Sequence, residues 1–314
     1  MDKKATRAAY GEALCELAER YPQLVVLDAD LAAATMTKGF AAAYPDRFFD
    51  CGIAEANMTA IAAGMSTAGL KPFTNTFAIF AAGRAYEQVR NSIAYPHLNV
   101  VCVGSHGGVS VGEDGATHQM IEDLALMRAI PGMVVVNPCD AYEMRAAVEA
   151  LINYNGPAYL RLGRSPVDVV TEGVSGYKFE LGKGAVLKEG TDVTIVATGL
   201  GVQLSLGAAE LLSASGISAE VIDIHTVKPL DNELIVKSAS KTGCVVTVEE
   251  HNVVGGLGGA VCELLSAECP VPVLRHGVDD VFGRSGKASE VLEYFGLTAE
   301  GVAEKAKRAV ELKK

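Results

Sequence analysis

The chain has 314 residues, 49% hydrophobic and 21% charged, with 33 glycines and a formal net charge of −11. That length holds two domains of ordinary size, each with its own core, and the composition argues against disorder. The acidic balance argues against nucleic acid as a partner, because neutralising phosphates takes clustered Lys and Arg.

Residues 1–20, MDKKATRAAYGEALCELAER, contain three Glu and no long apolar core, which predicts an amphipathic helix and neither a signal nor a transit peptide. LVVLDAD at 24–30 reads as a strand. GIAEANMTAIAAGMSTAG, from residue 52, reads as a buried helix, yet it contains Glu55, on one face with Met58, Ala62 and Met65. An acid near a helix N-terminus also has a plain reading, a surface residue stabilised by the dipole. In KPFTNTFAIF, Phe77 and Phe80 stand one helical turn apart after a strand; alone they read as a core stripe, with a flat ligand ring as the alternative.

The strand NVVCVGS (99–105) leads into HGGVSVGEDGATHQ, which holds His106, Glu113, Asp114 and His118. Ligands of parallel α/β sheets lie outside the carboxyl ends of strands, so this polar loop is a candidate site, although an Asp/Gly turn and a helix cap explain it as well. Thr117 is expected to cap a helix starting near His118, whose ring would then sit neutral at the positive helix end. GMVVVNP (132–138) and PAYLRLG (157–163) complete the first set of strands. From 164 to 192, turn residues and charge interrupt the pattern, which restarts with VTIVATG, AEVIDIHT, GCVVTVEE and PVLRHGV.

Strands alternating with helices give an α/β class with parallel sheets. The expected division is two consecutive α/β domains, 1–168 and 189–314, joined by a linker at 169–188. ATGLGVQLSLG has only two glycines of a dinucleotide fingerprint, Gly199 and Gly201, and reads as a strand-to-helix turn. VVGGLGGAV reads as a turn into a helix, with close backbone approach to a ligand as the lesser alternative. His251 and His276 are expected to be structural. Seven scattered cysteines without a CxxC pair predict reduced core thiols, no metal site in this chain and a cytoplasmic setting. No run of about 18 uncharged apolar residues predicts a membrane span.

In combination, DADL (28–31), GIAEANM (52–58), KPFTNTFAIF (71–80), GEDGATHQ (112–119) and LRLGRSP (160–166) resemble the pyrimidine-binding half of transketolase, a thiamine-diphosphate enzyme. RHGVDDVFGRSG (275–286) resembles the C-terminal domain of the same family. The resemblance spans essentially the whole chain. It implies that Glu55 hydrogen-bonds the ring nitrogen of the cofactor's aminopyrimidine, a role that burial in an apolar setting would favour by raising the carboxyl pKa. It also implies that Phe77 and Phe80 pack around that ring and that Asp30 lies near the thiazolium charge. His118 would contact the donor hydroxyls, Asp114 would read hydroxyl configuration, and His106 with Arg164 would hold the terminal phosphate of a sugar phosphate; Glu55, His118 and His106 are the catalytic candidates. One departure stands out: AAA at 32–34 replaces the expected hydroxyl, so either Thr35 substitutes or the substrate's end group differs.

The family's GDG motif with a downstream Asn, which holds Mg²⁺ and diphosphate, is not in this sequence. The resemblance therefore implies the C-terminal subunit of a split transketolase, which transfers two-carbon ketol units and is active only with an N-terminal subunit supplying that site, in a two-plus-two heterotetramer. Alternatives of the same fold are a deoxyxylulose-phosphate synthase and the β-subunit of a 2-oxo-acid dehydrogenase. A non-catalytic regulatory half-enzyme is the alternative from another class.

Overall fold

The computed structural model describes residues 3–313. Apolar, β-branched runs form a seven-stranded sheet in the order Thr226–Lys228, Val134–Val136, Ala158–Arg161, Val101–Ser105, Lys71–Phe77, Leu24–Asp28 and Phe48–Asp50. All neighbours are parallel except the first pair. The central strands are buried along their whole length, as strands covered on both faces must be. A second sheet runs Val273–Val278, Val245–Asn252, Val193–Ala197, Ala219–Asp223 and Ala185–Lys188, with only the last strand antiparallel. The expected α/β architecture of two parallel sheets is what forms.

Helices Thr6–Leu17 and Ala141–Asn153 cover one face of the first sheet, burying Tyr10, Leu14, Leu17, Met144, Val148 and Leu151. Helix Glu55–Thr67 covers the other, and its Met58 and Ala62 belong to a core that continues into Ile222, Val245 and Leu257 of the second sheet's region. The two halves therefore share apolar packing.

Three details differ from the sequence reading. Thr226–Lys228 crosses over to extend the first sheet, and three residues carry no periodic signal by which to foresee it. Ala185–Lys188, inside the expected linker, is an edge strand paired with Ala219–Asp223. The helix expected from residue 52 begins at Glu55, because Gly52 has a φ of +68° and Ala54, with φ −148° and ψ 61°, is outside helical geometry.

The glycine-rich turns are structural. Helix Gly201–Ala214 follows strand Val193–Ala197 through the short turn 198–200, and helix Leu257–Glu268 is capped by Glu249, whose carboxylate accepts from Leu257 N and Gly258 N at 2.7 Å each. A Cβ on Gly256 would lie 2.0 Å from that carboxylate, so the close backbone approach in VVGGLGG is to Glu249. No helix among the described residues is long and apolar enough to cross a membrane.

Candidate active site

Four adjacent strands end on one edge of the first sheet, and each delivers a residue singled out from the sequence. Leu24–Asp28 leads to Asp30, Lys71–Phe77 ends in Phe77, Val101–Ser105 leads to His106, and Ala158–Arg161 leads to Arg164. Because parallel strands keep their polarity, the register that pairs Phe77 with Ser105 and Gly104 with Arg161 brings these ends together. Asp30 and His106 both lie in the left-handed region, with φ near +61°, a conformation that costs free energy for non-glycine residues and concentrates at functional sites.

The aromatic residues form one cluster. Phe77 and Phe80 stack with centroids 6.0 Å apart and planes at 11°. His106 stacks on Phe77 at 4.0 Å, and the His118 ring meets the edges of both phenylalanines at 6.1 and 5.7 Å. Phe80 stands on a π-helical turn, Ile79–Arg84, not on the α-helix its spacing implied, and such turns are enriched at functional sites.

Glu55 is 2% exposed at the first turn of its helix. Its setting is not the apolar one expected: Arg84 Nη1 donates to both carboxylate oxygens, at 3.0 and 2.9 Å. Arg84 is half-exposed and lies over the Phe80 ring at 4.3 Å. The π-turn therefore carries both an aromatic wall and the cation that compensates the buried carboxylate. Sequence reading missed Arg84 because the residue it serves, Glu55, lies 29 residues away on another helix.

His106 is 3% exposed, and its Nδ1 lies 2.8 Å from Ser105 Oγ. Burial first, then the cations Arg7 and Arg164, push its pKa down to about 3, so at neutral pH the ring is an uncharged hydrogen-bonding group. Arg7 was not foreseen, since 157 residues separate it from Arg164. Its Nε donates to Arg164 O at 3.2 Å and its Nη1 to Ala34 O at 2.7 Å, while burial and the neighbouring Arg164 lower its own pKa. Two guanidiniums beside a neutral histidine make a cationic corner suited to an anion. Arg164 meanwhile reaches Glu113 at 2.8 Å.

Two further expectations fail. Helix formation does not begin near His118: the residue lies in a turn, with Nδ1 3.0 Å from Thr117 Oγ1, and the next helix is Asp123–Ala129. Gly115, with a φ of +74°, directs the backbone into that turn. Thr35 cannot replace the missing hydroxyl, because it is fully buried and donates to Asp28 Oδ2 at 2.7 Å. Asp114 is exposed at the end of the 3₁₀ turn Val109–Asp114. His251 and His276 face backbone groups, His251 with Asn252 O and Ala125 N, His276 with Gly296 O, as structural histidines do.

A buried carboxylate beside stacked aromatic faces fits an aminopyrimidine ring. The site edge holds no set of carboxylates spaced for a divalent metal; among the described residues the one candidate group, Cys139, Glu143 and Asp223, is buried elsewhere.

Residues 2–168 match the family model of the transketolase pyrimidine binding domain, and residues 182–302 that of the transketolase C-terminal domain. The chain is 46% identical over 307 residues, covering 98% of itself and 95% of the relative, to a 6-deoxy-6-sulfo-D-fructose transketolase subunit of Clostridium sp. (strain MSTE9). It is 40% identical over 302 residues, 96% of each chain, to an apulose-4-phosphate transketolase subunit of Phocaeicola vulgatus. A solved split gene transketolase, an inactive β4 tetramer, shares 51% identity and a TM-score of 0.91, with 100% of each chain covered.

Proposed function

Because the chain belongs to the transketolase family, we propose that it is the C-terminal subunit of a split, thiamine-diphosphate-dependent transketolase that moves a two-carbon ketol unit from a ketose phosphate to an aldose phosphate. The observation that carries this reading is the buried Glu55 carboxylate beside the stacked Phe77–Phe80 pair, on the same sheet edge as His106, His118 and Arg164. When bound, the cofactor supplies the nucleophilic carbon and the electron sink for breaking and remaking a carbon–carbon bond.

The chain's own residues bind, orient and move protons. Glu55 engages the ring nitrogen of the aminopyrimidine, Phe77 and Phe80 give it flat apolar walls, and Asp30 places a negative charge beside the cationic ring. His118 contacts the donor hydroxyls and exchanges protons with them, while Asp114 reads their configuration. Neutral His106 donates a hydrogen bond, and Arg164 and Arg7 supply charge to the substrate's anionic end. For Arg164 this means exchanging Glu113 for the substrate.

Mg²⁺ and the diphosphate are assigned to a separate N-terminal subunit with a GDG motif and downstream Asn, in a two-plus-two assembly. Relatives named as subunits cover this chain almost end to end, and one related split-gene chain is inactive as a tetramer of itself, which supports that division. The substrate's end group is less fixed than its anionic character. Thr35 is committed to Asp28, and the relatives' names include both a sulfo sugar and a sugar 4-phosphate.

The test is activity of the chain alone and of the complex reconstituted with its partner. The chain alone is expected to be inactive, and Glu55→Ala in the complex to lower kcat by about a thousandfold or more. Normal turnover by the isolated chain sinks the split-enzyme reading; full activity of the variant complex sinks the role of Glu55.

A further inference from the structure

The loop that carries Asp114 and His118 rests on the second domain. Glu250, near the end of strand Val245–Asn252, is 5% exposed, and its Oε1 accepts from Ser110 N across the domain boundary. Gly108 passes directly over that carboxylate: a Cβ there would lie 2.3 Å from its carbon, and the φ of +87° already favours glycine. Arg161 fixes the far side, donating to Glu250 O at 3.0 Å and Met120 O at 3.2 Å while its Nε pairs with buried Asp123 at 2.8 Å.

The outer end of the loop is held in the same way. Gln119 Nε2 donates to Val109 O and Gly112 O within the loop and to Arg284 O, at 2.8 Å, in the second domain. A Cβ on Gly115 would lie 2.3 Å from Ser285 Oγ, so the backbone there is seated against the 283–288 segment.

We propose that Glu250 is a positioning residue through which the C-terminal domain fixes the substrate-facing loop 107–119 for catalysis by the first domain. Asp114 and His118 sit on a connection that would otherwise be a glycine-rich, mobile loop, and a buried carboxylate bonded to its backbone removes that freedom before substrate arrives. The catalytic half of this inference rests on the transketolase reading; the clamp itself does not. Burial raises the Glu250 pKa, and Arg161 and the Ser110 N–H oppose the rise; with or without a proton, the carboxyl keeps an oxygen that accepts from Ser110 N.

The test pairs amide hydrogen exchange of the full chain with kinetics of the assembled complex. Glu250→Ala is expected to speed exchange at residues 109–115 by tenfold or more, leaving the first-sheet strands protected, and to raise the ketose phosphate KM about tenfold with kcat within about threefold. Glu250→Gln, which keeps an oxygen acceptor, is expected to restore both. If Glu250→Ala does not fold, Gln119→Met, which cuts the tie to Arg284, is expected to loosen the same residues. Unchanged exchange at 109–115, or acceleration spread evenly over the chain, overturns the clamp. Absence of any ketol transfer in the complex would overturn the functional reading, and the exchange result would still decide the clamp.

Discussion

At the residue scale the Glu55–Arg84 pair is lopsided: the carboxylate is 2% exposed and the guanidinium 49%. A charge taken out of water needs its partner, whereas one that can reach solvent does not. Removing either side should therefore have unequal effects. Arg84→Ala strands a buried carboxylate and is expected to cost about 1–2 kcal/mol, less than for a fully buried pair because solvent already screens Arg84. Glu55→Gln leaves Arg84 free to hydrate and should cost about 0.5 kcal/mol or less. In urea denaturation the double variant should recover most of the Arg84→Ala deficit. Equal losses from the two single substitutions would show that the pair is not desolvated on one side only. The same asymmetry bears on function, since the partner that neutralises Glu55 is the one able to move away when a ligand ring nitrogen takes its place.

At the scale of elements, the turn after the strand Leu24–Asp28 shows how a residue expected to touch substrate is committed elsewhere. Asp28 is buried and accepts from Leu31 N and Thr35 Oγ1 at 2.7 Å each and from Thr37 Oγ1 at 2.9 Å; burial raises its pKa and these donors oppose the rise. The turn therefore presents Asp30 outward while both threonines point in. Thr35→Val is expected to lower stability by about 2 kcal/mol, the scale of a hydrogen bond to a charged group, without changing the KM for substrate. A large KM rise at unchanged denaturation midpoint would return Thr35 to the substrate. Legibility in the sequence follows the same physics. Long strands and helices could be read from apolar runs because burial dictates residue type along their whole length. The strand-end rule singled out the His106 loop, whereas Phe77, Phe80 and Arg164 join it in one site only through the family resemblance. The conformation at His118 could not, since Gly115 and Thr117 serve a turn as well as a cap. Arg84 and Arg7 both escaped because the residues they serve, Glu55 and Arg164, are remote in the chain.

At the scale of the whole molecule, the two sheets meet at a buried cluster of acids. Asp140 caps helix Ala141–Asn153 and also accepts from Val170 N and Thr171 N, both at 2.7 Å, tying the connecting segment to the first domain. Beside it, Glu143 accepts from Cys139 N at 2.6 Å and from Tyr177 Oη, while Asp223, at the end of its strand in the second domain, lies 3.8 Å from Cys139 Sγ. Burial first, and then Glu143, push the Asp223 pKa well above its ordinary 3.8. The raised Asp223 pKa means that this carboxyl holds its proton to higher pH in the folded chain than in the unfolded one. The sign follows. Above about pH 4 the unfolded chain has released that proton while the folded chain retains it, so folding binds a proton and stability falls as pH rises, until the folded value is reached. The slope from this single group is at most about 1.4 kcal/mol per pH unit. Asp223→Asn keeps the size of the side chain and removes the ionisation. Its stability relative to wild type, read from denaturant midpoints between pH 5 and 8, is therefore expected to grow with pH. Titrating groups remote from Asp223 are common to both proteins and cancel in the difference, so the pH dependence that is left belongs to Asp223 together with its neighbours Glu143 and Asp140. Parallel curves would mean that Asp223 takes up no proton on folding and that its burial does not raise its pKa.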